Sequence, residues 1–348
     1  MRIGVLTGGG DVPGLNPAIR AVARRAFDEG WEVYGIMEGW RGLRDGLIRP
    51  LSREDVSGIL HVGGTMLGSS RTNLAKKPGD VEKAMANAGK FGLDAIVAIG
   101  GDDTLGVCAH MSRHGMPAIG IPKTMDNDIP GTDYCIGFNT AVTTVADAID
   151  KLHSTAESHH RVIVVEVMGR YTGWVAVMGG IAGGADYILI PEVPTSIPEV
   201  CEHVRQRWAS GKRFSIIAVA EAACIKEVVS AEAGCGPQTD DFGHVRLDTR
   251  GLGSTLATAI EDRLKDELHL EARFVVLGHL QRGGSPSVFD RVLGTRLGVH
   301  AVELIKEGKF GRMVALQGDS ITDIPLEEVA GKQRKVDADL CALTRMFY

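Results

Sequence analysis

The sequence predicts an α/β fold of two three-layer domains with mostly parallel sheets, and three observations carry that prediction. Eight short runs rich in Val, Ile and Ala recur along the 348 residues. Longer stretches with helical spacing of their apolar positions alternate with them. The short runs are apolar throughout rather than on every second residue, the mark of strands covered on both faces in a parallel sheet.

Taken in order, "RIGVLT" (2–7) is the first strand. It runs into "GGGDVPGLN" and a helix over 17–28, with Pro17 suited to a first turn and Asn16 placed to cap it. "DAIVAIG" (94–100) precedes a helix over 104–113, and "PAIGIP" (117–122) precedes the loop "KTMDNDIPGTD". A long helix covers 139–156. The second series runs through "RVIVVEV" (161–167), "DYILIP" (186–191), a helix over 197–209 and "FSIIAVAE" (214–221). It continues with a helix over 254–265, "RFVVLGH" (273–279), a helix over 289–306 and "MVALQ" (313–317). Residues 230–250 are polar and without clear period, and read as a loop or short excursion. A domain boundary falls at Gly137 and Phe138, where the second series of strands begins.

Composition narrows the function. A hydrophobic fraction of 44% supports a substantial core, and the length suits two domains. A net charge of -6 argues against a nucleic-acid or membrane-surface binder, which needs a basic face. The six cysteines are scattered without a CxxC pair, so neither a disulfide framework nor a zinc site is expected, and the expected location is the cytoplasm. "MRIGVLTGGG" reads as a strand entering a loop, not as a signal segment, and no apolar run approaches a membrane span. Many of the 45 glycines stand at strand ends, where backbone must approach a ligand.

Four loops carry candidate chemistry. "TGGGDVPGLNPAIR" has the position of a phosphate loop at a helix start, but not the G-x-G-x-x-G spacing, and GxxxxGK[ST] occurs nowhere. Alone it reads equally as a tight turn. "IVAIGGDDTLG" (96–106) begins the same way and then places Asp102 and Asp103 in succession; one carboxylate suffices for a metal that phosphates share. "GSSRTN" sets Arg71 among small residues, and by itself is a surface loop. "PKTMDNDIPGTD" crowds Asp126, Asp128 and Asp133 beside Lys123 and Thr124. Phosphoryl transfer needs those types: a base for the acceptor hydroxyl, a metal-supporting carboxylate and a cation for the travelling phosphate. Arg161, Arg170, Glu221, Arg273, His279 and Arg282 stand at strand ends, where cations can hold a substrate phosphate.

The ordered motifs "GGDVPGLN", "GGTMLGSSR", "IGGDDT", "PKTMDND", "GTDYCIGFNTA", "VVEVMGR" and "LGHLQRGGSP" resemble the phosphofructokinase family from Gly4 to about Arg312. The resemblance implies two α/β domains with an active-site cleft between them. The expected division is 1–138 with 281–308 for the phosphoryl donor, and 139–280 with 309–348 for the sugar phosphate. It implies that Asp126 is the base acting on the 1-hydroxyl of fructose 6-phosphate. Thr124, Asp128, Met168, Gly169, Arg170 and Glu221 match contacts to the sugar and the transfer site. His279 and Arg282 match 6-phosphate ligands of the same subunit, whereas Arg161 and Arg273 match ligands brought by a neighbouring one. A homodimer or homotetramer with shared active sites follows. Asp102 matches the support of Mg²⁺, and Gly10, Arg71, Gly101 and Thr104 match the donor side.

Two departures bear on the donor. The family's common ATP-dependent members have glycine where this chain has Asp103, and again where it has Lys123. Asp103 opposes a nucleotide's α-phosphate by bulk and by charge, and Lys123 can hold a smaller donor. The pair resembles the pyrophosphate-dependent branch, so the second aspartate reads as a donor filter. Val107, in place of another glycine, points the same way. The implied reaction is reversible transfer from pyrophosphate to fructose 6-phosphate, with an ATP-dependent enzyme and a non-catalytic sugar-phosphate sensor as alternatives. Arg20, Arg24, Arg53 and Lys212 match the family's effector pocket in type, but Asp186, His153 and Ser210 do not, which speaks against nucleotide regulation.

Overall fold

The structure, a computed structural model, describes residues 1–228 and 250–345. Two compact units divide the chain: Met1–Thr140 with Arg282–Arg334, and Ala141–Gln281 with Lys335–Tyr348. The first opens with β1 (Arg2–Thr7), α1 (Leu15–Asp28), β2 (Glu32–Ile36), α2 (Trp40–Asp45) and β3 (Ile48–Leu51). It continues with α3 (Asp80–Lys90), β4 (Ala95–Gly100), α4 (Asp102–Arg113) and β5 (Ala118–Pro122). Helix α5 (Phe138–His159) carries the chain into the second unit. There follow β6 (Arg161–Val167), α6 (Trp174–Gly183), β7 (Tyr187–Leu189), α7 (Ile197–Ala209), β8 (Ser215–Ala220), α8 (Leu252–Leu268) and β9 (Glu271–Val276). A 3-10 turn, Gly278–Arg282, precedes the return to the first unit with α9 (Val288–Lys306), β10 (Arg312–Gln317), β11 (Ser320–Pro325) and α10 (Leu326–Val329). Helix α11 (Ala338–Thr344) belongs to the second.

The first unit's sheet has the order β11-β10-β5-β4-β1-β2-β3, parallel except for its two outermost pairs. One face, with Leu6, Ile36, Ile96 and Ala98, packs on Leu43, Ala84, Leu105 and Met111 of α2, α3 and α4. Glycines of α9 bring its backbone close to that of α1: a Cβ at Gly298 would lie 2.8 Å from the Ala18 carbonyl oxygen. The second unit's sheet, β7-β8-β6-β9, is parallel throughout. Strands β6 and β8 are almost wholly buried, as their unbroken apolar runs predict. The α/β class with mostly parallel sheets is therefore the observed one, and the strand ends deliver the loops described below.

Several expectations need correction. Residues 309–334, assigned above to the sugar-phosphate half, lie in the first unit, because β10 pairs with β5. Strands β2, β3 and β11 were not anticipated; β3 is an edge strand holding Pro50, and β11 is an edge strand with little full burial. β9 spans Glu271–Val276, so the end of the run 273–279 falls in the 3-10 turn. Asn16 does not cap α1, whose cap is Gly14 at φ 110°. Instead its Oδ1 accepts from Met66 N at 2.8 Å and its Nδ2 donates to the Val62 carbonyl at 3.0 Å, tying down the "GGTMLGSSR" loop. Of the polar stretch 230–250, all but Arg250 lies outside the described residues. The five cysteines among the described residues are free thiols; burial pushes that of Cys108 up to about 12. Among the described residues no helix is long and apolar enough to cross a membrane.

Candidate active site

In the first unit the loops after β1, β4 and β5 are joined by backbone and side-chain hydrogen bonds. Gly8 N donates to the Ile99 carbonyl at 2.9 Å, so the first and second glycine loops run side by side. Thr104, buried in the first turn of α4, occupies the crook beneath them; a Cβ on Gly8 would meet its Oγ1 at 2.5 Å. Trp40 Nε1 donates to the Thr104 carbonyl at 3.2 Å, fixing that turn from the core side. Gly101 is the N-cap of α4, and Asp102 and Asp103 are its first two residues, half-buried where the helix dipole favours negative charge. "GSSR" is knit to the same place: Gly9 N donates to the Ser70 carbonyl at 3.2 Å, and Ser69 Oγ donates to the Gly9 carbonyl. Arg71 follows directly and is exposed.

Lys123 follows β5 directly and lies in the interior, 3% exposed, with Nζ donating to the Gly10 carbonyl at 2.5 Å. Burial, then the Arg282 charge, lowers its pKa to about 8, against the pull of Asp126, Asp11 and Asp102. Arg282 Nη1 donates to the Asp11 carbonyl at 3.1 Å and crowds Gly10, where a Cβ would lie 2.6 Å from it. The arginine matched above to the 6-phosphate thus rests on the glycine loop. Asp126 and Asp128 are buried carboxylates, 6% and 3% exposed. Thr124 Oγ1 accepts from Asp126 N at 3.1 Å and orients the turn. Between the two acids Asn127 is left-handed at φ 52°, a conformation asparagine tolerates better than most residues. Its Oδ1 accepts from Cys135 N at 2.8 Å and its Nδ2 donates to the Asp133 carbonyl at 3.0 Å. Asn127 is not among the residues that the sequence singles out, although an asparagine between two buried acids is a signal for such a turn.

In the second unit the end of β6 carries Met168, Gly169 and Arg170, the last at φ 51°. Glu221, just past β8 and buried, holds that strained turn: its Oε1 accepts from Arg170 N at 2.9 Å and Gly169 N at 3.3 Å. The Arg170 guanidinium lies over the Tyr171 ring, 5.8 Å from its centroid. Glu221 therefore shapes the backbone beneath Arg170. Arg161 and Arg273 gather elsewhere, around Glu271 on adjacent strands. Arg161 Nη2 is 2.7 Å from Glu271 Oε2, and Arg273 is 3.0 Å from Glu271 and 3.1 Å from Glu261. The hydrogen bond from Arg161 holds the Glu271 carboxyl below its ordinary range. His279 is exposed in the 3-10 turn. The Asp186 carboxylate pairs with Arg207 at 2.7 Å, and His153 Nε2 meets the Gly183 carbonyl at 2.8 Å.

Comparison with known proteins is consistent along the whole chain. The family profile described as Phosphofructokinase matches residues 2–305. A protein of Dictyoglomus thermophilum named pyrophosphate–fructose 6-phosphate 1-phosphotransferase is 49% identical over 100% of this chain and 99% of its own. A Streptomyces coelicolor protein named ATP-dependent 6-phosphofructokinase 2 is 47% identical over 97% of each. The crystal structure of Pichia pastoris phosphofructokinase in the T-state superposes with a TM-score of 0.81 at 32% identity, covering 94% of this chain and 35% of that longer one. On this profile, these identities and the shared fold, the chain belongs to the phosphofructokinase family.

Proposed function

We propose that the protein transfers a phosphoryl group, reversibly, between pyrophosphate and the 1-hydroxyl of fructose 6-phosphate. One observation carries the choice of donor: Asp103 stands in the first turn of α4, directly after Gly101 and Asp102, and the buried Lys123 reaches the Gly10 loop. A carboxylate at that turn opposes an α-phosphate, and the ammonium holds a donor whose charge ends at two phosphates. Asp126 takes the hydroxyl proton in the forward direction and returns it in reverse. Lys123 and Arg170 stabilise charge on the transferring group, where electrostatics supplies most of the catalysis in this reaction class. Gly10, Arg71, Gly101 and Thr104 serve the donor side. Arg161, Met168, Gly169, Glu221, Arg273, His279, Arg282 and Asp128 serve the sugar phosphate.

Mg²⁺ is the cofactor this reading requires. Among the described residues no group of three or more His, Cys, Asp or Glu gathers to cage a metal. A lone carboxylate fits Mg²⁺ all the same, because this ion is held by one or two carboxylates together with substrate phosphates and water. Asp102 would hold it, and the bound ion would neutralise charge on the donor phosphates.

The second reading, an ATP-dependent enzyme, draws on the Streptomyces coelicolor relative at 47% identity. Supplying fructose 6-phosphate and Mg²⁺ with pyrophosphate or with ATP, and measuring fructose 1,6-bisphosphate, separates the two. Pyrophosphate should give the higher kcat/KM by about a hundredfold or more. A preference for ATP removes the donor assignment, and no product from either donor removes the catalytic one.

A further inference from the structure

We infer that Arg334 is a positioning residue for the loop that carries Asp126 and Asp128, an inference that rests on the reading of Asp126 as the base. Arg334 follows α10, in the last stretch of the first unit, within "GKQRKVDADL". Its backbone N donates to the Asp128 carbonyl at 2.7 Å. Its Nη1 donates to the Thr132 carbonyl at 2.9 Å and to the Asp133 carbonyl at 2.8 Å. One residue thus bridges the start and the end of the loop, some 200 residues away in sequence.

The other supports show what this bridge adds. Asn127 braces the loop across its middle through Asp133 and Cys135. Strand β10 holds the outgoing arm, with Asp133 N on the Leu316 carbonyl at 2.8 Å and Leu316 N on Thr132 Oγ1 at 3.1 Å. Arg334 connects that anchored arm to the carbonyl of Asp128, two residues beyond the base. The guanidinium is planar and presents its donors in a fixed fork, so it sets direction as well as distance. A misplacement of about 1 Å at a reacting group costs about a hundredfold in rate. A basic run near the end of the chain reads in the sequence as a solvated surface, so nothing there draws attention to Arg334.

The test uses the full chain with pyrophosphate, fructose 6-phosphate and Mg²⁺. Arg334→Ala should lower kcat by about 30- to 100-fold, with both KM values held within about threefold, since it displaces the base without removing a ligand. Guanidinium chloride at tens of millimolar, far below denaturing levels, should restore about fivefold or more of that kcat by refilling the gap between the carbonyls. A merely structural role would not produce that split or that rescue. Arg334→Lys keeps the charge and loses the fork; it should fall by about tenfold and serves where the alanine variant does not fold. Turnover within about twofold of wild type in a folded Ala or Lys variant overturns the inference, as does an alanine loss that guanidinium leaves untouched. Asp126→Asn is run beside them. If it is inactive while the Arg334 variants match wild type, only the positioning role falls; if it turns over freely, the base assignment falls and takes Arg334 with it.

Discussion

Asp103 adds a second negative charge one residue after the proposed Mg²⁺ support, in a turn already crowded by Thr104. On the proposed pyrophosphate reading, Asp103→Gly removes bulk and repulsion against an α-phosphate while Lys123 stays fitted to a small donor. If the carboxylate costs ATP about 3–4 kcal/mol, the ratio of kcat/KM for ATP over pyrophosphate should rise by two to three powers of ten. A ratio that moves less than about threefold sinks the filter reading. Lys123 gives a pH test with a definite sign. Its ammonium is charged below about 8 and neutral above, so kcat/KM for pyrophosphate should fall as pH rises through that value. The same buried charge costs stability below pH about 8, a cost that fades between there and 10.5 as the unfolded chain's lysine alone keeps its proton. The charges that set this limb are Arg282, Asp126, Asp11 and Asp102. Lys123→Arg keeps its charge and should flatten the limb; an unchanged limb in that variant assigns the titration to another group. Asp126→Asn should cost about 10²–10⁴-fold in kcat from the lost base alone, with sugar-phosphate binding retained.

At the scale of elements, the first helix of each crossover begins where a strand releases its loop, and α5 and α9 secure each other's starts. Asp290 of α9 is fully buried, and its carboxylate accepts from Gly137 N at 3.0 Å, Thr140 N at 2.8 Å and Thr140 Oγ1 at 2.5 Å. Ser287 caps α9 through Asp290 N and donates Oγ to Asn139 at 2.8 Å. Burial raises the Asp290 pKa even against those bonds. Asp290→Ala strands three buried donors and should destabilise by about 2–4 kcal/mol. The thermal midpoint should drop by several degrees; a midpoint unchanged within about one degree would deny the cap its weight. The strands that the sequence revealed, such as β1, β4, β5, β6 and β8, are those with unbroken apolar runs buried on both faces. Edge strands β3 and β11 were hidden because half their surface is wet and proline is allowed there. The glycine and aspartate loops were legible because their residue types are costly unless used. What escaped was long-range: Asn16 turned to the 62–66 loop, Arg282 on Asp11, and Arg334 across the Asp128 loop. No local pattern encodes a side chain's partner about 50 to 270 residues away.

For the whole molecule, the proposal is a homo-oligomer in which each site borrows arginines from a neighbour. β9 is an edge strand of the second unit's sheet, with Phe274 49% and Val276 50% exposed, beside Arg273 on the same strand. Exposed apolar side chains on a strand that is the sheet's edge among the described residues are what a partner surface covers and what an isolated chain avoids. Within one chain the Arg161 and Arg273 guanidiniums lie on Glu271, a carboxylate that a phosphate dianion can replace. Subunit mixing tests the borrowing. Arg161→Ala and Asp126→Asn should each be nearly inactive alone. After exchange at equal amounts, half of the dimers are hybrids. In each hybrid the Arg161→Ala subunit keeps its own Asp126 and receives an intact arginine from its neighbour, while the other site lacks both. Activity should therefore recover to about a quarter of wild type if the site is shared across a two-fold interface. The covalent double variant Asp126→Asn with Arg161→Ala, mixed with wild type, should by contrast leave every hybrid site short of one residue, so that hybrids contribute nothing. Hybrids demonstrated by native mass spectrometry without recovered activity would place both residues in the service of one chain, and the shared-site proposal would give way to a self-contained one.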